Sequence, residues 1–155
     1  MSQLSSSKEG TEINRILVAV DGSENATKAV KVASAMAKRN NAKLIIIHVI
    51  TVSGIMYSGG LPLPPDRIEA DARREADKLV ESAALIAERA GIKPKTAIIE
   101  RMNSPVRGVT DYAKKNMIDL IVVGTRGLGG FKRLVLGSVA RGVVHYANCS
   151  VLVVR

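Results

Sequence analysis

The sequence predicts an α/β protein: a single domain built on an open five-stranded parallel sheet with helices on both faces. Three observations lead there. Short apolar runs alternate along the chain with stretches whose apolar residues recur at i, i+3, i+4 spacing, the pattern of strands followed by helices. The runs are continuous rather than alternating, as strands must be when both sheet faces are covered. At 155 residues the chain also fits one domain, which typically buries roughly 70% of the surface its unfolded chain would expose.

Residues 1–13 are polar and small, without a usable period, and are expected to form a flexible tail ahead of a folded domain at 14–155. Ile16 to Val20 is the first strand and stops at the turn Asp21-Gly22-Ser23. Ala26, Ala29, Val30, Ala33, Met36 and Ala37 form the inner stripe of a helix that Ser23 is placed to cap. Leu44 to Val49 is the second strand, and Ser53 to Pro65, rich in Gly and Pro, reads as a long surface loop. Ala72, Ala76, Leu79, Val80, Ala83, Ile86 and Ala90 form the stripe of a long helix that Gly91 ends. Thr96 to Glu100 is the third strand. Ser104 and Pro105 open the next helix as cap and first helical residue, with Val106, Val109, Ala113 and Met117 on its buried side. Leu120 to Val123, a short helix marked by Val139, Val143 and Tyr146, and Val151 to Val154 complete the set. The alternation does not fix the strand order. In a doubly wound order a ligand sits outside the carboxyl ends of the strands, where the order switches. Two such ends carry unusual residues, Asp21 and Gly124.

Hydrophobic residues make up 46% of the chain and charged ones 24%, a globular balance that argues against disorder. No apolar run approaches the ~18 residues of a membrane span, and the first ten residues lack the basic and apolar segments of a leader. A cytoplasmic protein without membrane contact is therefore expected. The one cysteine, Cys149, cannot staple the fold from within and fits a reducing compartment; it reads as a small buried hydrophobe beside the last strand, ahead of a reactive thiol. A net charge of +9 requires an acidic partner of some kind to be considered. After Asp119 there is no acidic residue, while Arg126, Lys132, Arg133, Arg141 and Arg155 follow, so +5 of the +9 lies in this last part. Elsewhere dyads such as Lys38-Arg39, Arg73-Arg74 and Lys114-Lys115 are mixed with Asp and Glu and read as solvated helix faces.

After the fourth strand the chain reads Gly124-Thr125-Arg126-Gly127, then nine residues, then Gly137-Ser138 opening a helix. Glycine lets backbone N–H groups approach a phosphate without a Cβ in the way. A helix start adds unpaired N–H donors, the positive end of the helix dipole and, at Ser138, a hydroxyl. Together these make an anion cradle, although spacing alone also fits a plain connector. The loop is not a Walker loop, having no Gly-Lys-Ser/Thr ending, and Gly127-Leu128-Gly129 lacks the third glycine of a dinucleotide fingerprint.

The pattern Gly-x-x-Gly-x9-Gly-Ser after a strand resembles the nucleotide motif of the universal stress protein family. The likeness extends to Asp-Gly-Ser at 21–23, His-Val-Ile at 48–50, Asp-Leu-Ile-Val-Val-Gly at 119–124 and the terminal Ser-Val-Leu-Val-Val. By that resemblance the fold is Rossmann-like with strand order 3-2-1-4-5, which brings Asp21 opposite Gly124. The resemblance also places the chain among members whose glycine motif binds ATP, with ADP and AMP left open. It implies that Gly124, Gly127, Gly137 and Ser138 hold phosphates and ribose, with a backbone N–H from Val139. Asp21 would face the ribose or a bound Mg or Mn ion, and Ala19, Val20 and Val49 would line or hydrogen-bond the adenine. On the residues alone, Asp21 also reads as a turn residue, Val20 and Val49 as core, and Arg126 either as a phosphate partner or as a solvated side chain. Asn103 stands where many members have glycine.

The expected function is an ATP-binding, nucleotide-dependent stress-response or signalling module with at most slow hydrolysis; the stress role comes from the resemblance alone. A true ATPase or phosphotransferase is the alternative. It normally needs a positioned base, and none is evident, since His48 and His145 have no metal-ligand spacing and read as structural. A basic nucleic-acid-binding domain ranks lower, because aromatic residues are 3% of the chain and no continuous basic stripe is visible. Val151 to Val154 would lie at a sheet edge in the implied order, and a homodimer through residues 151–155 is expected.

Overall fold

A computed structural model describes residues 12–51, 57–58, 60–126 and 136–155. Most of the expected tail, part of the expected loop after the second strand, and Gly127 lie outside these residues. The elements run β1 (Arg15–Ala19), α1 (Glu24–Asn40), β2 (Lys43–Thr51), β3 (Tyr57–Ser58), β4 (Leu61–Pro62), α2 (Pro65–Arg89), β5 (Lys95–Met102), α3 (Pro105–Lys115), β6 (Leu120–Gly124), α4 (Ser138–Tyr146) and β7 (Ser150–Val154). β1, β2, β5, β6 and β7 form one parallel sheet in the order β5-β2-β1-β6-β7, which is the expected 3-2-1-4-5. β3 and β4 pair as a small antiparallel hairpin within the stretch read as a loop.

Alternation along each strand divides the interior into two cores. Ile16, Val18, Leu44, Ile46, Leu120 and Val122 face α1 and α2, while Leu17, Ile45, Ile47, Ile121 and Val123 face α3 and α4. Both faces are thus apolar, which is why the runs are continuous. On α1 the facing stripe is mostly alanine, Ala26, Ala29, Ala33 and Ala37, so the helix can lie close on the sheet. Buried Ser34 sits in the same stripe and satisfies its hydroxyl by donating to the Val30 carbonyl at 2.7 Å.

Helix limits follow local chemistry, with two departures from expectation. Ser23 caps α1 as anticipated, its Oγ accepting from Ala26 N at 3.1 Å, and Gly91 takes φ +85 just beyond α2. Ser104, by contrast, makes no side-chain cap bond; Pro105 opens α3 by its fixed φ alone. Met117 is 70% exposed, because α3 ends at Lys115 and Met117 turns out at φ 51; Ile118 takes the inward place and its N–H donates to the Ala113 carbonyl at 2.9 Å. Tyr146, at the last position of α4, is 66% exposed and meets His145 edge-on, leaving Ala140 and Val143 as the buried side. No helix among the described residues is long and apolar enough to cross a membrane.

Candidate functional site

Parallel strands deliver all their carboxyl ends to one edge of the sheet. From β1 the connection goes to β2 on one side, whereas β6 lies on the other, so the loops leaving β1 and β6 diverge and open a crevice. A cavity of about 540 Å³ occupies that crevice, within the usual range for a small-molecule site.

One wall comes from β1 and β2. Ala19, Val20 and Asp21 continue off β1, and His48, Val49 and Thr51 come from the end of β2. Val20 N–H donates to the Ile47 carbonyl at 2.9 Å, which extends the sheet one residue beyond the end of β1. The Val20 carbonyl lies 2.7 Å from His48 Nδ1. A carbonyl can only accept, so in this contact His48 carries its proton on Nδ1. Asp21, a lining residue of the crevice, accepts from Ser23 N–H through Oδ1 at 2.9 Å in a local turn. Val49 serves both the wall and the core: a Cβ on Gly108 of α3 would stand 2.6 Å from Val49 Cγ1, so helix and strand touch there.

The opposite wall is Gly124, Thr125 and Arg126 after β6, with Leu136 to Arg141 at the start of α4. Two glycines let these segments close up. A Cβ at Gly124 would sit 2.9 Å from the Asn25 backbone carbon, and one at Gly137 would sit 2.9 Å from the Thr125 carbonyl oxygen. Gly137 N–H donates to that oxygen at 2.6 Å, and Thr125 N–H to the Val154 carbonyl at 2.8 Å, which ties the loop to α4 and β7. The first bond that closes α4 is Arg141 N–H to the Gly137 carbonyl, so the N–H groups of Ser138, Val139 and Ala140 precede it without an intrahelical partner. Ser23 joins the two walls, its hydroxyl donating to the Arg126 carbonyl at 3.4 Å.

Of the residues expected at a site, Ala19, Val20, Asp21, Val49, Gly124, Arg126, Gly137, Ser138 and Val139 all line this one cavity; Gly127 lies outside the described residues. His48, read from the sequence as structural, is on the wall as well. Thr51, Thr125 and Arg141 were also missed. Arg141 had a usable signal, since it lies one helical turn beyond Gly137 on the same side. Among the described lining residues Asp21 is the one carboxylate, set against Arg126 and Arg141. The cavity is therefore apolar toward β1 and β2 and rich in N–H donors and cations toward α4, an arrangement suited to a planar apolar group carrying an anion.

Known proteins share this sequence pattern and fold. A sequence profile of the universal stress protein family matches residues 12–155. The universal stress protein YxiE of Bacillus subtilis is 35% identical over 150 residues, covering 92% of this chain and 99% of its own length. Among solved structures, the universal stress protein UspA from Lactobacillus plantarum is 30% identical with a TM-score of 0.75, over 93% of this chain and 99% of its own. A universal stress protein crystallised in complex with cAMP is 25% identical with a TM-score of 0.71, over 94% and 99%. With the profile running from the first described residue to the last and a relative of this identity matched over nearly its full length, the chain belongs to the universal stress protein family.

Proposed function

We propose that the chain binds ATP in this cavity and acts as a nucleotide-dependent stress-response and signalling module, with slow hydrolysis at most. The observation that carries this reading is the pairing of Asp21 on one wall with the open N–H groups of Ser138 and Val139 on the other, across a crevice lined by Arg126 and Arg141. The cAMP complex of a family member supports an adenine nucleotide as ligand, and the two cations favour one with a longer phosphate chain over AMP. Ala19, Val20 and Val49 would take the adenine, and Gly124, Gly127, Gly137, Ser138 and Val139 the ribose and phosphates. Among the described residues no group of three or more His, Cys, Asp or Glu gathers to hold a metal by itself. A Mg or Mn ion would thus arrive on the phosphates, with Asp21 as its protein carboxylate, which suits an ion that keeps most of its water. That leaves Asp21 unavailable as a base, and turnover is expected to be slow.

In this reading residues 14–155 act as one cytoplasmic nucleotide-binding unit, paired with a second copy through residues 151–155. β7 is an edge of the sheet, so one side of its backbone is open to pairing. The test is to denature the purified protein and identify the nucleotide released. With no Trp and three Tyr, bound adenine stands out in the ultraviolet spectrum. Failure to release a nucleotide, together with failure to bind added ATP, overturns the proposal.

A further inference from the structure

The edge of the sheet opposite the cavity gathers cations that the sequence scatters. In a parallel α/β fold every helix ends, and every strand begins, at that edge. The last turns of the helices bring Lys38 and Arg39 of α1, Arg89 of α2, and Lys114 and Lys115 of α3. The strand starts add Lys43, Lys93 and Lys95, with Lys43 beside Arg15 in register and Lys95 beside Ile45 on the next strand. Lys38 Nζ stands 3.2 Å from where a Cβ on Gly91 would lie, so the ends of α1 and α2 adjoin. All these lysines and arginines except Arg15 are exposed.

Ion pairs among the described residues do not reach these cations. The ion pairs along α1, α2 and α3 engage Lys28, Arg73, Arg74, Lys78 and Arg107, higher on the helices. None of the exposed cations at the amino edge joins an ion pair among the described residues. The carboxylates near this edge are Glu12, Glu88 and Asp119, and Asp119 Oδ2 already accepts from the N–H groups of Asn14 and Arg15 at 2.9 and 2.8 Å. Cations in a last helical turn are accounted for by the helix dipole. Lys43, Lys93 and Lys95 lie outside the helices, so the dipole does not explain them.

A second feature shares the edge. Met117, just past α3, and Tyr146, at the end of α4, are 70% and 66% exposed, and Met117 follows the Lys114-Lys115 pair by two residues. A nucleic acid backbone would take the charges and leave Met117 in water. The boundary between anionic headgroups and acyl chains takes both. We propose that this edge docks on an anionic lipid bilayer, with Met117 and Tyr146 entering the headgroup layer and the lysines holding the acidic headgroups. The nucleotide cavity, at the other end of the strands, would then face away from the membrane.

The test uses the full chain and vesicles of phosphatidylcholine with or without phosphatidylserine. The chain is expected to sediment with the mixed vesicles and not with phosphatidylcholine alone, and to be released as salt is raised. The variant Lys43→Gln/Lys93→Gln/Lys95→Gln is expected to lose partitioning on the order of a hundredfold while keeping its melting temperature, since no helix end is altered. Met117→Ser/Tyr146→Ser is expected to weaken binding even where salt already screens the charges. Sedimentation that ignores phosphatidylserine, unchanged partitioning in either variant, or tighter binding to duplex DNA than to the mixed vesicles overturns the proposal.

Discussion

The carboxyl and amino edges of the sheet are built from the same strands and helices and end up chemically opposite. At the carboxyl edge helices begin, so free N–H groups point outward, glycines let the loops close up, and a cavity forms where the strand order switches. At the amino edge helices end, so free carbonyls point outward, and lysines and arginines collect there. The difference teaches that a parallel sheet sorts chemistry by direction. One edge can receive an anion in a concave backbone site, while the other can attract a larger anionic surface only through long side chains.

The most severe way to break this contrast is Gly137→Val. Its Cβ would meet the Thr125 carbonyl oxygen, a backbone atom that cannot swing aside. Nucleotide affinity should fall by at least about a hundredfold, with about 1–3 kcal/mol lost in stability. Calorimetric titration and denaturant unfolding read the two effects. Vesicle binding by the amino edge should be unchanged, and a parallel loss of both activities would show that the edges are not independent.

A smaller effect is expected from Ser23→Ala, which removes the cap on α1 and the hydroxyl bridge to the Arg126 carbonyl. The cap is worth about 1 kcal/mol, so the melting temperature should drop by about 3 °C. A nucleotide should restore more of that loss than it adds to the parent protein if Ser23 holds the two walls together. Equal stabilisation of both proteins would reduce Ser23 to a helix cap.

The mildest probe is Cys149, one residue before β7 at the amino edge. Burial raises its thiol pKa, with the nearby Asp119 charge adding to the effect. The folded thiol holds its proton where the unfolded one has lost it, so stability is intact below the ordinary thiol range and declines as pH rises through it. Alkylation of the native protein should accordingly need a higher pH than alkylation of the denatured chain. Coincident pH profiles would place the thiol in open water.

Much of the carboxyl edge was legible beforehand because its chemistry is local. A strand ending in Asp21, and Gly137-Ser138 at a helix start, announce themselves in a few consecutive residues. The family resemblance then brought the two ends together. His48 and Arg141 were missed for opposite reasons. His48 sits in an apolar run where a histidine looks structural, and its place on the cavity wall depends on the Val20 carbonyl, nearly thirty residues away in sequence. Arg141 reads in the sequence only as charge, although it lies one helical turn beyond Gly137 and lines the cavity. Met117 misled because the 3.6-residue period continued on paper after the helix had stopped.

The sequence by itself determined the five strands of the parallel sheet, the helices and the glycine spacing of the loop after β6, since periodicity, caps and glycine spacing act over a few residues. It also carried the excess positive charge without saying where that charge would gather. Only the tertiary structure decided that Lys43, Lys93 and Lys95 meet the helix-end cations on one edge, because parallel strand starts converge there from remote parts of the chain. Likewise, only packing decided that Val49 is both core and cavity wall: the close contact at Gly108 buries one side of it and leaves the other on the crevice.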